Sequence, residues 1–339
     1  FKTLSDIKHI PLLKKKELIF LQSIGPRLGG LLTKDIGELK RIFLSPGPIF
    51  DPEDRMDDYW GYTEAFYSVG FRPGDVVQVT FNYHLSPAGL MFEEPLRNLG
   101  CASIPAGPTD PGTQLDIMQK LRVSGYVGTA SYLMHLAQKA EEKGINLRKD
   151  LFQEVAFVTG ERLSEKMRNQ LEKKFDIILR QGYGTADVGC IGYECFHKTG
   201  LHISNRCYVE ICHPDTGIPL KDGEVGEIVV TSFNKTYPLI RLATGDLSYI
   251  DRAPCACGRT SPRLGSIVGR VDTTARIKGM FVYPHQVEQV MARFEDIKRW
   301  QIEVINPGGI DEMILYVEAS NFHQEDELLH LFRERIKLR

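Results

Sequence analysis

The chain has 339 residues, of which 42% are hydrophobic and 25% charged, an ordinary composition for a soluble globular protein with room for two domains. Its 42 basic and 44 acidic side chains leave a net charge of -2, which favours neither nucleic acid nor an anionic membrane as a partner. We therefore expect a small-molecule partner. No apolar run approaches the roughly 20 residues that span a bilayer, and the first residues lack the order of a signal peptide, so we expect a cytoplasmic location.

Residues 76–181 alternate short apolar runs with longer helical patterns, such as "VVQVTF" followed by "PAGLMFEEPLRNL". This alternation predicts an α/β fold with a doubly wound, mostly parallel sheet. Loops at the carboxyl ends of such strands form the binding crevice. Two loops of this kind are "TGE" at 159–161, with Ser164 as the expected cap of the next helix, and "GYGTADVG" at 182–189.

Beyond residue 189 the strands shorten and are separated by Asp-Thr-Gly and Asp-Gly turns. This pattern predicts a small antiparallel β-barrel or sheet at about residues 203–268. A hairpin, a helix, two strands and a last helical run then predict a small α+β domain. We therefore expect an N-terminal domain at 1–271 and an incomplete C-terminal lid domain at 272–339.

The loop "YGTADVG" supports two interpretations. It can be a strand-to-helix turn in which glycines adopt unusual backbone angles and Thr185 or Asp187 caps the next element. It can also be a nucleotide loop, in which Gly184 lets backbone N–H groups approach phosphate, Thr185 adds a donor, Tyr183 stacks on a base and Asp187 holds Mg²⁺.

Two further motifs favour the nucleotide interpretation. "ATGD" ends on Asp246, whose carboxylate can accept hydrogen bonds from both hydroxyls of a ribose. "GRVDTTARIKG" offers Arg270 and Lys278 on either side of Asp272 at the expected domain joint, which suits phosphate contacts. Each motif alone is a common turn or a solvated charge cluster, but the three motifs in this order indicate a nucleotide site far more specifically than any one of them.

In these motifs the chain resembles the adenylate-forming superfamily, and within it the phenylacetate-CoA ligase branch, which includes coenzyme F390 synthetase-like proteins. "DIKHIPLLKKKEL", "LGCASIPAGPTDPGTQLDIM" and "CACGRTSPRLGSIVGRVD" resemble segments of that branch. The resemblance implies that ATP activates a carboxylic acid to an acyl-adenylate and that the acyl group then passes to the thiol of coenzyme A. It also implies Mg²⁺ as a cofactor and an aryl or related small acid as substrate, and we expect a homodimer.

The resemblance implies roles for individual residues. Asp187 stands where the family has a Mg²⁺-binding glutamate, and Thr185 and Asp187 are the implied catalytic residues. Asp272 is the implied hinge of the lid domain. The implied nucleotide contacts are Gly160 and Glu161 beside adenine, Tyr183 stacking on it, Gly184 and Thr185 in the loop, Asp246 on the ribose and Arg270 near the ribose and phosphates.

One stretch departs from the family pattern. Residues 41–54, "RIFLSPGPIFDPED", stand where relatives carry a glycine-rich, lysine-containing phosphate loop, but they hold three prolines and no lysine. An ordered surface turn is an equally good interpretation. The family's catalytic lysine is expected beyond Lys337. Two alternatives therefore stay open: an adenylyltransferase of the F390 synthetase type, and a nucleotide-binding paralogue without turnover.

The stretch 80–92, "TFNYHLSPAGLMF", corresponds to the acyl pocket of relatives. Its aromatic and small residues can shape a slot for a flat aromatic acid. The candidate lining residues are Tyr83, His84, Ser86, Ala88 and Gly89. His84 can instead be a core histidine with its hydrogen bonds satisfied.

Seven cysteines, most of them in the second half, indicate reduced thiols and a metal site rather than a disulfide framework. Cys195 and His202 lie in "ECFHKTGLH", and Cys255 and Cys257 lie in "PCACG". Four such ligands in two clusters suit a tetrahedral structural Zn²⁺ that ties two loops together, with His197 as a substitute for His202. Buried thiols beside a surface histidine are the alternative.

Overall fold

A computed structural model describes residues 4–277, 280–307, 312–320 and 322–336. Lys278 and Lys337 lie outside the described residues. Within these ranges the helices are α1 (Lys15–Ile24), α2 (Thr63–Val69), α3 (Ala88–Asn98), α4 (Pro111–Lys120), α5 (Ala130–Glu142), α6 (Glu165–Phe175), α7 (Pro284–Met291) and α8 (Glu325–Ile336). Short 3-10 turns cover Leu4–His9, Arg27–Gly30, Ile36–Glu38 and Val271–Thr273.

The strands of the first half are β1 (Leu13–Lys14), β2 (Arg41–Ser45), β3 (Ile49–Glu53), β4 (Val76–Val79), β5 (Ala102–Pro105), β6 (Gly125–Gly128), β7 (Val155–Val158), β8 (Ile178–Thr185) and β9 (Gly189–Tyr193). Those of the second half are β10 (Leu201–Ile203), β11 (Cys207–Cys212), β12 (Gly226–Ser232), β13 (Leu242–Ser248), β14 (Ile250–Asp251), β15 (Arg263–Leu264), β16 (Gly269–Arg270), β17 (Ala275–Ile277), β18 (Met280–Val282), β19 (Ile297–Ile305) and β20 (Glu312–Ala319).

The main sheet has the strand order β5-β4-β6-β7-β8-β9-β10-β15-β14. Pairing is parallel from β5 to β8 and antiparallel from β8 to β14. Alternate residues of β7 lie in separate cores: Val155 and Phe157 pack with α2 and α3, whereas Ala156 and Val158 pack with α4, α5 and α6. The sheet therefore carries helices on both faces, which confirms the predicted doubly wound α/β arrangement.

Helix ends follow the sequence signals. The Ser164 hydroxyl accepts the N–H of Met167 at 3.2 Å and caps α6, as predicted. The chain leaves α5 through Gly144 at a φ of +72°, a backbone angle that suits glycine. Helix α5 thus ends before β7, and α6 begins after β7 and leads to β8. Because β7 and β8 are parallel, the loops that follow both strands lie at the same edge of the sheet.

A second sheet pairs β11, β12 and β13 in antiparallel order. The other edge of β13 pairs with β1 in parallel near Leu242 and with β16 in antiparallel near Asp246. Among the described residues these strands form an open sheet, so the predicted antiparallel sheet is found and the predicted β-barrel is not confirmed. The N-terminal segment and the "GR" segment thus share one edge of the strand that carries "ATGD".

The proline-containing stretch 41–54 forms a β-hairpin, β2–β3, in which Arg41 pairs with Glu53 and Ser45 with Ile49. The inward side chains Phe43 and Ile49 are buried. Arg41 also binds the Glu53 carboxylate at 3.0 Å. The stretch is therefore a regular hairpin packed against the core, not the surface turn that was one of the two expected interpretations.

The C-terminal elements β17 to α8 enclose a separate core that includes Val287, Phe294, Leu328 and Phe332. A salt bridge between Arg162, in the loop after β7, and Glu288, on α7, joins this unit to the main sheet. Among the described residues, no helix combines the length and the apolar character needed to cross a membrane.

Candidate active site

The three predicted nucleotide residues from separate motifs meet at one point. The Tyr183 hydroxyl, at the end of β8, donates to the Asp246 carboxylate of β13 at 2.8 Å. The other Asp246 oxygen accepts Arg270 of β16 at 2.9 Å. Asp246 and Arg270 are also backbone neighbours in the β13–β16 pairing. Sheet register therefore brings an aromatic ring, a carboxylate and a guanidinium together.

Arg270 also binds Asp272, the predicted hinge residue, at 3.1 Å. Asp272 lies in the short turn Val271–Thr273, which directly follows β16. The predicted hinge is thus the second carboxylate on the same guanidinium.

Glu227, on β12, also lies at this site, although no motif in the sequence predicted it. Its carboxylate accepts the N–H of Gly245 at 3.0 Å and is 5% exposed. Burial raises the pKa of Glu227, while the Gly245 hydrogen bond and Lys14 oppose the rise. Gly245 has a φ of +82°, and a side chain there would meet the Arg270 guanidinium at 2.9 Å. Glu227 thus holds the tight turn that aims Asp246.

Asp187, predicted to hold Mg²⁺, is bound by Lys15 of α1 at 2.7 Å. Its side chain is 1% exposed, while that of Lys15 is 35% exposed. Its second oxygen has no hydrogen-bond partner. Thr185 accepts the N–H of Val188 at 3.3 Å, so its hydroxyl also stabilises the turn. The Lys15 contact joins residues 172 positions apart, and no local pattern could have revealed it.

A second carboxylate, Asp51 of the β2–β3 hairpin, lies close to Asp187. It is 1% exposed, and neither of its oxygens has a hydrogen-bond partner. The nearby Ser45 hydroxyl donates instead to the Ile49 carbonyl at 3.4 Å. Burial, and then the charge of Asp187, raise the pKa of Asp51 to about 7, while the nearby Ser45 hydroxyl and Lys15 oppose the rise. Unpaired carboxylate oxygens fit the donor set that Mg²⁺ prefers.

The loop after β7 carries the predicted adenine-side residues. Glu161 accepts both the backbone N–H of Ser131, at 2.6 Å, and its hydroxyl, at 2.8 Å, at the beginning of α5. Gly160 has a φ of +82° and lies 3.6 Å from the Phe81 ring, measured from where a side chain would begin. Both residues stand at the carboxyl edge of the parallel strands, beside the loop that follows β8.

The predicted acyl-pocket residues form the connection between β4 and α3. A side chain at Gly89 would lie 2.6 Å from the Tyr83 ring, so the two positions are in close contact. The Tyr83 hydroxyl is buried without a hydrogen-bond partner, and burial raises its pKa. Ser86 accepts the N–H of Ala88 at 3.5 Å. His84 is exposed, which contradicts the alternative that it is a core histidine.

The predicted zinc ligands converge. One ligand atom from each of Cys195, His202, Cys255 and Cys257 lies within 4.8 Å of the others. Cys195 Sγ and Cys255 Sγ are 3.7 Å apart, close to the roughly 3.8 Å between two sulfurs on one tetrahedral Zn²⁺. Cys257 Sγ is 3.3 Å from His202 Nε2, and the other ring nitrogen contacts Ser261 Oγ at 3.2 Å.

The chemistry of the four side chains also suits zinc. Burial raises the pKa of Cys255, but hydrogen bonds from Cys257 and from neighbouring side chains outweigh burial and lower it to about 7. The ligand histidine in this geometry is His202 and not His197. The four residues would tie the loop after β9 to the loop between β14 and β15.

The fold and the Tyr183–Asp246–Arg270 cluster are those of a nucleotide-binding α/β enzyme with a small second domain. Residues 60–235 match the family described as "AMP-binding enzyme", and residues 279–339 match "AMP-binding enzyme C-terminal domain". The chain belongs to the AMP-binding enzyme family, which confirms the resemblance stated above.

Curated relatives are named phenylacetate-coenzyme A ligase. The Thermus thermophilus protein is 30% identical over 99% of this chain and 80% of its own length. The Escherichia coli protein is 27% identical over the same shares. A solved structure, 2-hydroxyisobutyryl-CoA ligase in an open conformation with 2-HIB-AMP and CoA, superposes with a TM-score of 0.88 at 23% identity, covering 100% of this chain and 78% of that one. This last likeness shows the fold.

Proposed function

We propose that the chain activates a carboxylic acid with ATP and transfers the acyl group to the thiol of coenzyme A. The observation that carries this proposal is the convergence of Tyr183, Asp246 and Arg270 in a member of the AMP-binding enzyme family. The names of the relatives support CoA as the acceptor and an aryl acid as the substrate.

The chemistry has two steps. A carboxylate oxygen of the acid attacks the α-phosphorus of ATP, and the bond to pyrophosphate breaks. The CoA sulfur then attacks the acyl carbon, loses its proton, and AMP leaves. Both steps depend chiefly on positioning and on stabilisation of negative charge.

Asp246 would bind the ribose hydroxyls, and Arg270 would turn from Asp246 toward the ribose and phosphates. Tyr183, with its hydroxyl fixed by Asp246, would offer its ring to adenine. Glu161 and Gly160 would line the adenine side. Gly184 and Thr185 would offer backbone and hydroxyl donors to phosphate. These roles are proposals that rest on the geometry of the cluster and on the family.

The acyl group would lie beside the loop from Tyr83 to Gly89. Because Gly89 has no side chain, the Tyr83 ring can pack against it, and this ring would offer an aromatic surface to the acid. Asp272 would be the hinge, with the domain boundary near it. A cytoplasmic location and a homodimer remain predictions.

The test is product analysis with ATP, Mg²⁺, CoA and a panel of aryl acids, read by mass spectrometry. Acid-dependent acyl-CoA together with free AMP is the expected result. An AMP adduct on an acceptor hydroxyl would identify the adenylyltransferase alternative. Nucleotide binding without any acid-dependent product would identify a paralogue without turnover.

One observation favours that last alternative as the second candidate. The stretch that corresponds to the family's phosphate loop is a hairpin held by buried side chains, and Lys15 occupies Asp187. Backbone N–H groups engaged in a hairpin ladder are not free to bind pyrophosphate. ATP with Mg²⁺ would then bind no more tightly than AMP, which isothermal titration can measure.

We also propose that Cys195, His202, Cys255 and Cys257 bind one structural Zn²⁺. Elemental analysis of the purified chain should find about one zinc per chain, and Cys257→Ser should lose it with a lower Tm. Cys101→Ser, a buried thiol outside the cluster, is the matched control and should keep the metal. Zinc-free protein whose Tm is insensitive to chelator would contradict this proposal.

A further inference from the structure

A cavity of about 630 Å³ lies between the beginning of β9 and the loop that joins β12 to β13. This volume is within the range of small-molecule sites, roughly 300–1,000 Å³. Among the described residues, neither the Tyr183–Asp246–Arg270 cluster nor the acyl loop 83–89 lines it. The wall comes from five segments of the chain: 33–34, 54–59, 188–190, 205–206 and 232–236.

The wall of this cavity carries an excess of positive charge. Three cations, Lys34, Arg206 and Lys235, line it together with one carboxylate, Asp54. Lys34 binds both oxygens of Asp54, at 3.0 and 2.8 Å, so these two charges offset each other. Within the part of the chain that the structure describes, neither Arg206 nor Lys235 forms an ion pair with a carboxylate. Two positive charges are therefore left for an anion.

Arg206 is held in place by the backbone around it. Its guanidinium donates to the Tyr59 carbonyl at 2.9 Å, which uses one of five N–H donors. Gly61 has a φ of +74°, and a side chain there would lie 2.8 Å from Arg206 Nε, so glycine leaves room for the arginine. Asp58, which also lies near Arg206, accepts the N–H of Thr63 at 3.2 Å instead. The guanidinium is thus positioned, with donors to spare.

The rest of the wall is largely apolar. Met56 and Phe233 are 44% and 50% exposed, which is unusual for such side chains and leaves them available to a ligand. Tyr59, Val188 and Cys190 also line the cavity, and burial keeps the pKa of the Cys190 thiol well above its usual value. An apolar wall that also holds two unpaired cations matches a molecule with an apolar body and an anionic head.

The loop that carries Phe233 and Lys235 is fixed by its own hydrogen bonds. The Thr33 hydroxyl donates to the Lys235 carbonyl at 2.6 Å. The Asn234 side chain accepts the N–H of Thr236 at 2.8 Å, which closes a tight turn. This wall is therefore formed without a ligand, and a preformed site loses less entropy on binding.

We propose that this cavity binds a small amphipathic carboxylate, with the carboxylate on Arg206 and Lys235 and the apolar body against Phe233 and Met56. The planar fork of a guanidinium matches the two oxygens of a carboxylate. Such binding requires no nucleotide, no metal and no turnover. The inference therefore goes beyond the proposed function and does not rest on it.

The experiment is isothermal titration of the full chain with 4-phenylbutyrate, without ATP or CoA. Wild type should bind it at least about tenfold more tightly than acetate, which has the same head and almost no apolar body. Arg206→Gln should weaken binding at least about tenfold, because the charged hydrogen bonds to the carboxylate are lost. Arg299→Gln, at a side chain that is 86% exposed in the C-terminal unit, is the matched control and should bind like wild type.

Two surface variants test the inference even if Arg206→Gln does not fold. Lys235→Gln removes an ammonium without an ion pair, and Phe233→Ser removes a half-exposed ring; each should weaken 4-phenylbutyrate binding several-fold. No binding by wild type, equal affinity for acetate, or binding that both variants leave unchanged would each overturn the inference. Asp246→Ala should keep the affinity for 4-phenylbutyrate. A chain that binds this acid but forms no acyl-CoA would count against the proposed function and not against the cavity.

Discussion

Replacing Asp246 by Ala removes the carboxylate at which the three nucleotide motifs meet. In the proposed complex, this carboxylate accepts two ribose hydroxyls, and hydrogen bonds to a charged group contribute about 1.5–3 kcal/mol each. Loss of both should therefore weaken AMP binding about 100-fold or more. Isothermal titration of the variant with AMP measures this change directly.

The same substitution should have only a small effect on the free energy of unfolding. The Arg270 side chain is 49% exposed, so its pair with Asp246 contributes at most about 1 kcal/mol. The Tyr183 hydroxyl keeps Thr244 Oγ1 at 3.2 Å. The free energy of unfolding should thus fall by about 1–2 kcal/mol, well short of unfolding the chain.

The control is Asp222→Ala, whose half-exposed carboxylate binds Arg252 at 2.7 Å and takes no part in the Tyr183–Asp246–Arg270 contacts. It should change neither AMP affinity nor stability measurably. A folded Asp246→Ala chain that binds AMP within threefold of wild type would refute the assignment of this carboxylate to the ribose.

Three further predictions concern residues that hold the site or the elements packed on the main sheet in shape. Burial raises the pKa of Glu227, so the folded protein binds its proton more tightly than the unfolded chain does. The contribution of Glu227 to the free energy of unfolding should therefore fall as pH rises above about 4.5 through the folded pKa. Glu227→Gln should flatten this pH dependence, which urea unfolding measures. Glu194→Ala removes the buried carboxylate that binds the Arg168 guanidinium of α6 at 2.7 Å and leaves that guanidinium with the exposed Glu165 and the Leu179 carbonyl. It should lower the free energy of unfolding by about 3–5 kcal/mol in the same assay. Gly184→Ala would bring a side chain to 2.3 Å from the Gly189 carbonyl oxygen and should lower both Tm and AMP affinity; an unchanged Tm would contradict this close contact.

The elements that the sequence predicted well are those with a local signal. The alternation of strand and helix over residues 76–181, the Ser164 cap and the order of the three nucleotide motifs all depend on near neighbours in the chain. The grouping of Cys195, His202, Cys255 and Cys257 was also visible, because cysteine and histidine are few in this chain, while zinc itself stays a prediction. His202 rather than His197 meets the cysteines since β10 directs its side chain into the cluster.

The site residues that the sequence did not predict are brought into place by contacts between distant parts of the chain. Glu227 is one of many strand glutamates, and only the register of β12 against β13 brings it to the Gly245 N–H. Asp51 lies among prolines that indicated a turn, yet Pro52 lies within β3 opposite Ile42 of β2. This short two-stranded ladder tolerates a residue without an N–H donor, because it pairs with no third strand among the described residues.

The strand β13 explains how separate parts of the chain reach one site. One of its edges pairs with β12 and therefore with Glu227, and the other pairs with both β1 and β16. Lys14 pairs with Ala243, three residues before Asp246, and the next residue, Lys15, begins α1 and reaches Asp187. The Asp246 carboxylate and the Lys15–Asp187 ion pair therefore depend on the same strand. A shift of β1 by one residue would remove Lys15 from Asp187 while leaving Asp246 and Arg270 paired, so the two halves of the site can be separated by experiment.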